Sequence, residues 1–152
     1  MLLAVALVGG CSSYSPPQLN ITGVRVAQES PEGMVIELSI DASNTNEKDM
    51  PLERLTYQFS LGGRPVFSGT RSAEATVRRL GTQSIVLPAA IDFSRFPVPQ
   101  GQVEYEVTGS LVYVAPGELA QILFDVGVRR PSVRFSHRGT LDFGQTTPTD
   151  QP

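Results

Sequence analysis

The chain has 152 residues, a net charge of −3 and a single cysteine. Such a length suits one domain, which buries roughly two-thirds of the surface its unfolded chain exposes. The charge balance argues against a nucleic-acid partner, which calls for a strongly basic face. One cysteine leaves no intramolecular disulfide, so the fold must stand on its core.

The first ten residues, MLLAVALVGG, are apolar and uncharged. They are too short for a stable transmembrane helix, which needs about 20 residues. They have the length of the apolar core of a secretory signal. Val8-Gly9-Gly10-Cys11 resembles a bacterial lipobox, an aliphatic residue followed by two small ones and a cysteine. The resemblance implies that residues 1–10 are a lipoprotein signal peptide and that Cys11 is the lipidated residue. Its thiol accepts the diacylglyceryl group, and the amine freed by cleavage is acylated in turn. Several chains buried together anchor a protein far more durably than one. Met1-Leu2-Leu3 departs from the usual pattern in having no basic residue. Ser12 after the cysteine is compatible with transfer to the outer membrane. The expected location is therefore the bacterial cell envelope, lipid-anchored and facing the periplasm.

Residues 11–18 read as a tether, because serine and paired proline favour an extended chain. Residues 19–143 read as one β-domain, and 144–152 as a disordered tail. Within the domain the period is two nearly everywhere. Met34, Ile36, Leu38, Ile40 and Ala42 alternate with polar residues, as do Leu55, Tyr57, Phe59 and Leu61. Ile85, Leu87, Ala89, Ile91 and Phe93 share a face, and so do Val103, Tyr105, Val107, Leu111 and Tyr113. The same alternation predicts a strand through Ile122, Phe124, Val126 and Val128, entered by a hairpin at Ala115-Pro116-Gly117. A final strand aligns Val133, Phe135, Leu141 and Phe143. Pro88 lies inside a strand pattern, which marks an edge or a bulge. No stretch shows a helical period. Short loops and one-faced strands predict an all-β antiparallel sandwich of seven to nine strands.

The order of features from 36 to 93 is similar to the water stress and hypersensitive response (WHy) domain of group 2 late embryogenesis abundant proteins. A strand ends in Asn44-Thr45-Asn46, then come Met50-Pro51-Leu52, a strand holding Tyr57, a Gly62-Gly63 hairpin, Ser68-Gly69 and Val86-Leu87-Pro88. Asn44, Asn46, Pro51, Tyr57 and Gly69 are the matching motif positions. Thr45 stands where the family has proline. The resemblance implies a fibronectin- or immunoglobulin-like sandwich, a role in tolerance of drying or related stress, and no catalysis or cofactor. A structural role suits both asparagines, whose side chains bond nearby backbone amides.

Signals for chemistry are sparse. His137 is the one histidine and falls on the apolar face with Phe135, so nitrogen- or sulfur-rich zinc ligation has no ligand set. Asp41, Asn44, Asn46, Glu47 and Asp49 are oxygen donors whose spacing does not match a calcium-binding EF-hand. Arg134, His137 and Arg138 lie in the acid-free stretch 129–138, a candidate contact for anionic lipid. Val35, Val86, Val112 and Val114 add apolar residues to faces expected to be wet. They keep a second reading open, a module binding lipid or another apolar ligand, or an adaptor for a protein partner.

Overall fold

In the computed structural model, which describes residues 14–144, alternation becomes burial with little loss. Strand β2 (Gly33–Asn44) turns Met34, Ile36, Leu38, Ile40 and Ala42 inward, and all five are buried. Its neighbours are β1 (Gln18–Ser30) and β5 (Gly81–Asp92), both antiparallel, in the order β1-β2-β5. Leu38 faces Leu87 and Ile40 faces Ile85 across the β2/β5 ladder, so the inward side is a continuous aliphatic surface. The second sheet has the order β4-β3-β6-β7, from β3 (Met50–Leu61), β4 (Arg64–Val77), β6 (Gly101–Tyr113) and β7 (Ser132–Phe143). It contributes Leu55, Tyr57, Phe59, Val107 and Leu111 to the core between the sheets. Full burial of each such side chain is worth about 1.5–3 kcal/mol. The result is a sandwich of seven strands among the described residues, with three strands facing four.

Two elements differ from the sequence-based expectation. Residues Glu118–Asp125 form a helix, α1, where alternation predicted a strand, and β6 reaches α1 through Pro116-Gly117 rather than a hairpin. Leu119, Ile122, Leu123 and Val126 also satisfy the helical spacing i, i+3, i+4, i+7, so the segment fits both periods. Because β6 and β7 pair directly, no strand lies between them, and the segment forms a helix in their connection. Strand β1 carries no clean period because two bulges interrupt it, between Ile21 and Gly23 and between Val26 and Gln28. Ile21 faces Ile40, Gly23 faces Ser39, and the bulge between them shifts the inward set from Leu19 and Ile21 to Val24 and Val26.

The tether expected at 11–18 is docked over its second half. Pro17 is buried, Ser15 is hydrogen-bonded to the domain, and the ring of Tyr14 meets that of Tyr113 edge-on at 6.4 Å. The signal at 1–10, Cys11 and residues 145–152 of the tail lie outside the described residues.

Pro88 lies on β5, an outer strand of its sheet, without a bulge. Along one side of the sandwich β4 approaches β5, and along the other β1 and β7 barely touch. A cleft of about 740 Å³ runs there, with Leu19, Ile21, Val133 and Phe135 among its lining residues. His137 borders it, half-buried against Tyr105 at 5.9 Å between ring centres.

Candidate functional site

One pole of the sandwich gathers Tyr14–Pro17, the loop after Asn44, the 78–81 turn between β4 and β5, and the 114–131 connection that holds α1. The strand registers fix this. Gln18 pairs with Ser43, Asn44 with Gly81, Met50 with Val77, and Val112 with Ser132. The opposite pole holds the 31–32 and 62–63 turns, the 93–100 connection and the end of β7.

Asn44 organises the first pole. It is the last residue of β2, and strand alternation turns its side chain inward, where it is buried. Its amide nitrogen donates to the carbonyls of Lys48 at 2.8 Å, Val77 at 3.2 Å and Arg78 at 3.3 Å. Its Oδ1 accepts the backbone N–H of Asn46 at 3.0 Å and the Asn46 amide at 2.8 Å. The first of these closes the local turn that asparagine favours. Asn46 passes the connection on. Its Nδ2 donates to the Ser15 carbonyl and its Oδ1 accepts the Ser15 N–H, each at 2.8 Å. Its own carbonyl accepts the N–H of Leu80 at 3.1 Å. Two asparagines thus join β2, the β4–β5 turn and the N-terminal segment through their side chains and one carbonyl.

Pro51 extends the same pole. Its ring removes an N–H near the start of β3, where the loss is small. Its carbonyl accepts the N–H of Val114 at 2.9 Å, which fixes the start of the connection toward α1. The N–H of Tyr113 donates to the Pro131 carbonyl at 3.1 Å and closes that connection from the other side. Val114 itself is buried, not on a wet face as its parity suggested.

Tyr57 and Gly69 stand away from this pole as a register pair across β3 and β4. A Cβ on Gly69 would come within 2.7 Å of the Phe67 ring, so the phenyl group lies over the strand where no side chain interferes. That ring in turn packs on Tyr57 at 5.3 Å. Burial raises the Tyr57 hydroxyl above the ordinary tyrosine value of 10.0, against the opposing pull of Arg71. Tyr113 is pushed up to about 12, by burial first and then by the adjacent Tyr14 side chain.

The oxygen donors weighed for calcium do not converge. Asp41 accepts the Ser84 hydroxyl at 2.6 Å, and Asp49 accepts the backbone N–H of Arg79 at 2.8 Å. Asn44 and Asn46 are engaged as described. Among the described residues, no three of His, Cys, Asp and Glu stand together. The features of this pole that the sequence did not reveal are Ser15, whose backbone bonds leave no trace in composition, and α1. The helix has no buried residue.

No curated protein matches the chain. Among solved structures, it is similar to an Arabidopsis thaliana protein solved in solution, with a TM-score of 0.67 and 13% identity over 90% of this chain and 87% of that one. A second solution structure, of a protein described as late embryogenesis abundant (LEA), gives a TM-score of 0.64 and 14% identity over 84% of this chain and 71% of that one. A crystal structure of a protein from Archaeoglobus fulgidus gives 0.53 and 9% identity, over 86% of this chain and 97% of that one. At these identities the likeness is one of fold. The family model described as late embryogenesis abundant protein matches residues 39–147, from the middle of β2 past the end of β7. The chain belongs to the late embryogenesis abundant protein family.

Proposed function

We propose that this chain is a non-catalytic stress-protection domain of the WHy type, held at the bacterial cell envelope by lipid on Cys11. Residues 1–10 act as the export signal, and the domain faces the periplasm from the outer membrane. It protects by surface contact, shielding proteins or bilayers when water is scarce. The observation that supports this reading best is the motif geometry within a late embryogenesis abundant chain. The side-chain amides of Asn44 and Asn46 are engaged by the domain's own backbone and by each other. They build a pole of the fold and hold no reacting group. Metabolic labelling with a clickable fatty acid tests the anchor. Label on the wild-type protein that Cys11→Ala abolishes is the expected result, and an unlabelled wild type refutes it. Survival of a deletion strain after drying and osmotic shock tests the role, and unchanged survival would count against protection.

A second reading rests on the β1/β7 cleft. Leu19, Ile21, Val133 and Phe135 give it an apolar floor among polar residues such as Gln18, Asn20 and Arg134, and its volume of about 740 Å³ is enough for an acyl chain or a similar apolar ligand. Native mass spectrometry of detergent-extracted protein separates the two readings. Co-purified lipid favours the module, and bare protein favours protection by surface contact.

A further inference from the structure

Exposed apolar side chains are concentrated at the asparagine pole. Of the seven large hydrophobic side chains most exposed among the described residues, five lie there: Leu80, Leu119, Ile122, Val126 and Val128. They are 57–72% exposed. The other two are apart, Val86 along β5 and Val98 at the opposite pole. Leu119, Ile122 and Val126, the last at its C-cap, form one exposed stripe along α1, while Leu123 at the edge of that stripe, with Ala120 and Phe124 beyond it, is half-buried. The stripe therefore points away from the domain.

Leu80 repeats the theme on a separate loop. It sits at φ 52, a left-handed conformation that disfavours a branched side chain. Glycine or asparagine would occupy this turn with less strain, so a solvent-facing leucine here gains nothing for the fold. Each apolar tip also adjoins a pair of arginines. Arg78-Arg79 precede Leu80, and Arg129-Arg130 follow Val128. Glu118 and Asp125 flank the α1 stripe on one side, and Gln121 holds Asp125 at 2.9 Å. Aliphatic tips beside guanidinium pairs suit the boundary between lipid headgroups and acyl chains, where apolar atoms enter and cations meet phosphate.

On the anchor reading, the N-terminal segment brings a bilayer to the same pole. Tyr14 packs on Tyr113, at the end of β6 that leads into α1. Cys11 lies three residues before Tyr14, a reach of at most about 11 Å for extended chain. A lipid on Cys11 thus keeps this end of the sandwich close to the membrane surface. We infer that α1 and the Leu80 turn dock on an anionic bilayer surface, seating the domain on the membrane by its asparagine pole. The orientation rests on the anchor reading above. The apolar stripe and the arginine pairs do not.

The chain contains no tryptophan, so a single introduced one is a clean reporter. Ile122→Trp and Val98→Trp would be placed, one at a time, in the full chain with Cys11→Ala, and folding checked by circular dichroism. Vesicles of phosphatidylcholine alone, and of phosphatidylcholine mixed equally with phosphatidylglycerol, serve as probes. The expected result for Ile122→Trp is a blue-shifted emission, quenched by brominated lipid, with the mixed vesicles only and reversed by salt. The emission of Val98→Trp stays unshifted. Adding Arg129→Glu and Arg130→Glu to the Ile122→Trp chain lowers partitioning by roughly tenfold or more. An unshifted emission from Ile122→Trp, an equal shift from Val98→Trp, or a dimer that Ile122→Asp dissociates would overturn the inference. The anchor is read separately by the fatty-acid label on Cys11. Loss of that label, with the reporter at position 122 still quenched, removes the anchor alone. A labelled Cys11, with the reporter at position 122 unshifted, removes the docking surface alone.

Discussion

The hydroxyl of Tyr57 on β3 donates to the main-chain carbonyl of Pro88 on β5 at 2.5 Å, a hydrogen bond that joins the two sheets. Pro88 stands opposite Glu37 of β2 at a position where nitrogen and carbonyl both face away from that strand, so its missing N–H costs the ladder nothing. Its carbonyl turns to the outer side of an edge strand, where the ladder offers no partner. The phenol supplies one and closes the β4/β5 side of the sandwich. Tyr57→Phe keeps the ring packing and removes only this bond. We expect a loss of about 1 kcal/mol in unfolding free energy. Urea denaturation with an unchanged m-value checks it.

Alkaline pH should act through the same side chain and two others. Burial raises Tyr57 and Tyr105, and Tyr113 is pushed up to about 12. Each hydroxyl therefore holds its proton more tightly folded than unfolded, where tyrosine has its ordinary value of 10.0. Their contribution is whole below that value and is lost as pH rises through the folded values. Thermal midpoints should change little through tyrosine ionisation up to about pH 9 and fall above about pH 10. Tyr57→Phe should make the fall shallower. An unchanged alkaline slope in that variant would show that Tyr57 does not titrate with unfolding.

Asn44 should be the least replaceable residue of the motif. Asn44→Ala leaves the Val77 carbonyl without its side-chain partner in a buried place, and the Lys48 carbonyl and Asn46 N–H in a partly buried one. The expected cost is about 2–3 kcal/mol. Asn44→Asp is nearly isosteric but cannot donate to those carbonyls when ionised. It should be at least as damaging at neutral pH and partly relieved in acid. Asn46→Ala should cost less, with faster amide exchange confined to Ser15 and its neighbours. Hydrogen-exchange mass spectrometry of the three variants tests the order.

Restoring the family residue at 45 should stabilise the protein. Thr45 is exposed, and its N–H takes no part in the turn and loop hydrogen bonds of the described residues. Asn44 before it is in a strand, the conformation that a following proline demands. Thr45→Pro reduces the freedom of the unfolded chain and should add about 0.4–1 kcal/mol. A higher urea midpoint at constant m is the expected reading. A lower one would mean that the loop needs a backbone angle outside the range of proline.

Most of the sandwich was legible because burial follows parity. Every inward residue of β2 keeps the phase that its sequence shows, as do β5, β6, β7 and β3 from Leu55 onward, after a bulge that separates Leu52 from Leu55. Two places escaped for opposite reasons. In β1 the pattern is broken by the bulge at Thr22, which the fold tolerates because Val24 and Val26 still reach the core. In α1 the pattern is ambiguous, and no buried contact forces a choice that alternation could register. The motif asparagines were visible through their spacing and the family resemblance. Their partners were not, because Ser15, Lys48, Val77 and Arg78 take part through backbone atoms, which carry no residue signature.

The two ends of the described chain, Tyr14 and Gly144, emerge at opposite poles and from opposite sheets. Tension between them would run along the strands. The ladder of β1 against β2, with rungs from Gln18–Ser43 to Ser30–Gly33, would then have to slip as a whole instead of peeling rung by rung. Were the domain held at one extremity and pulled at the other, that load would fall on all these rungs together.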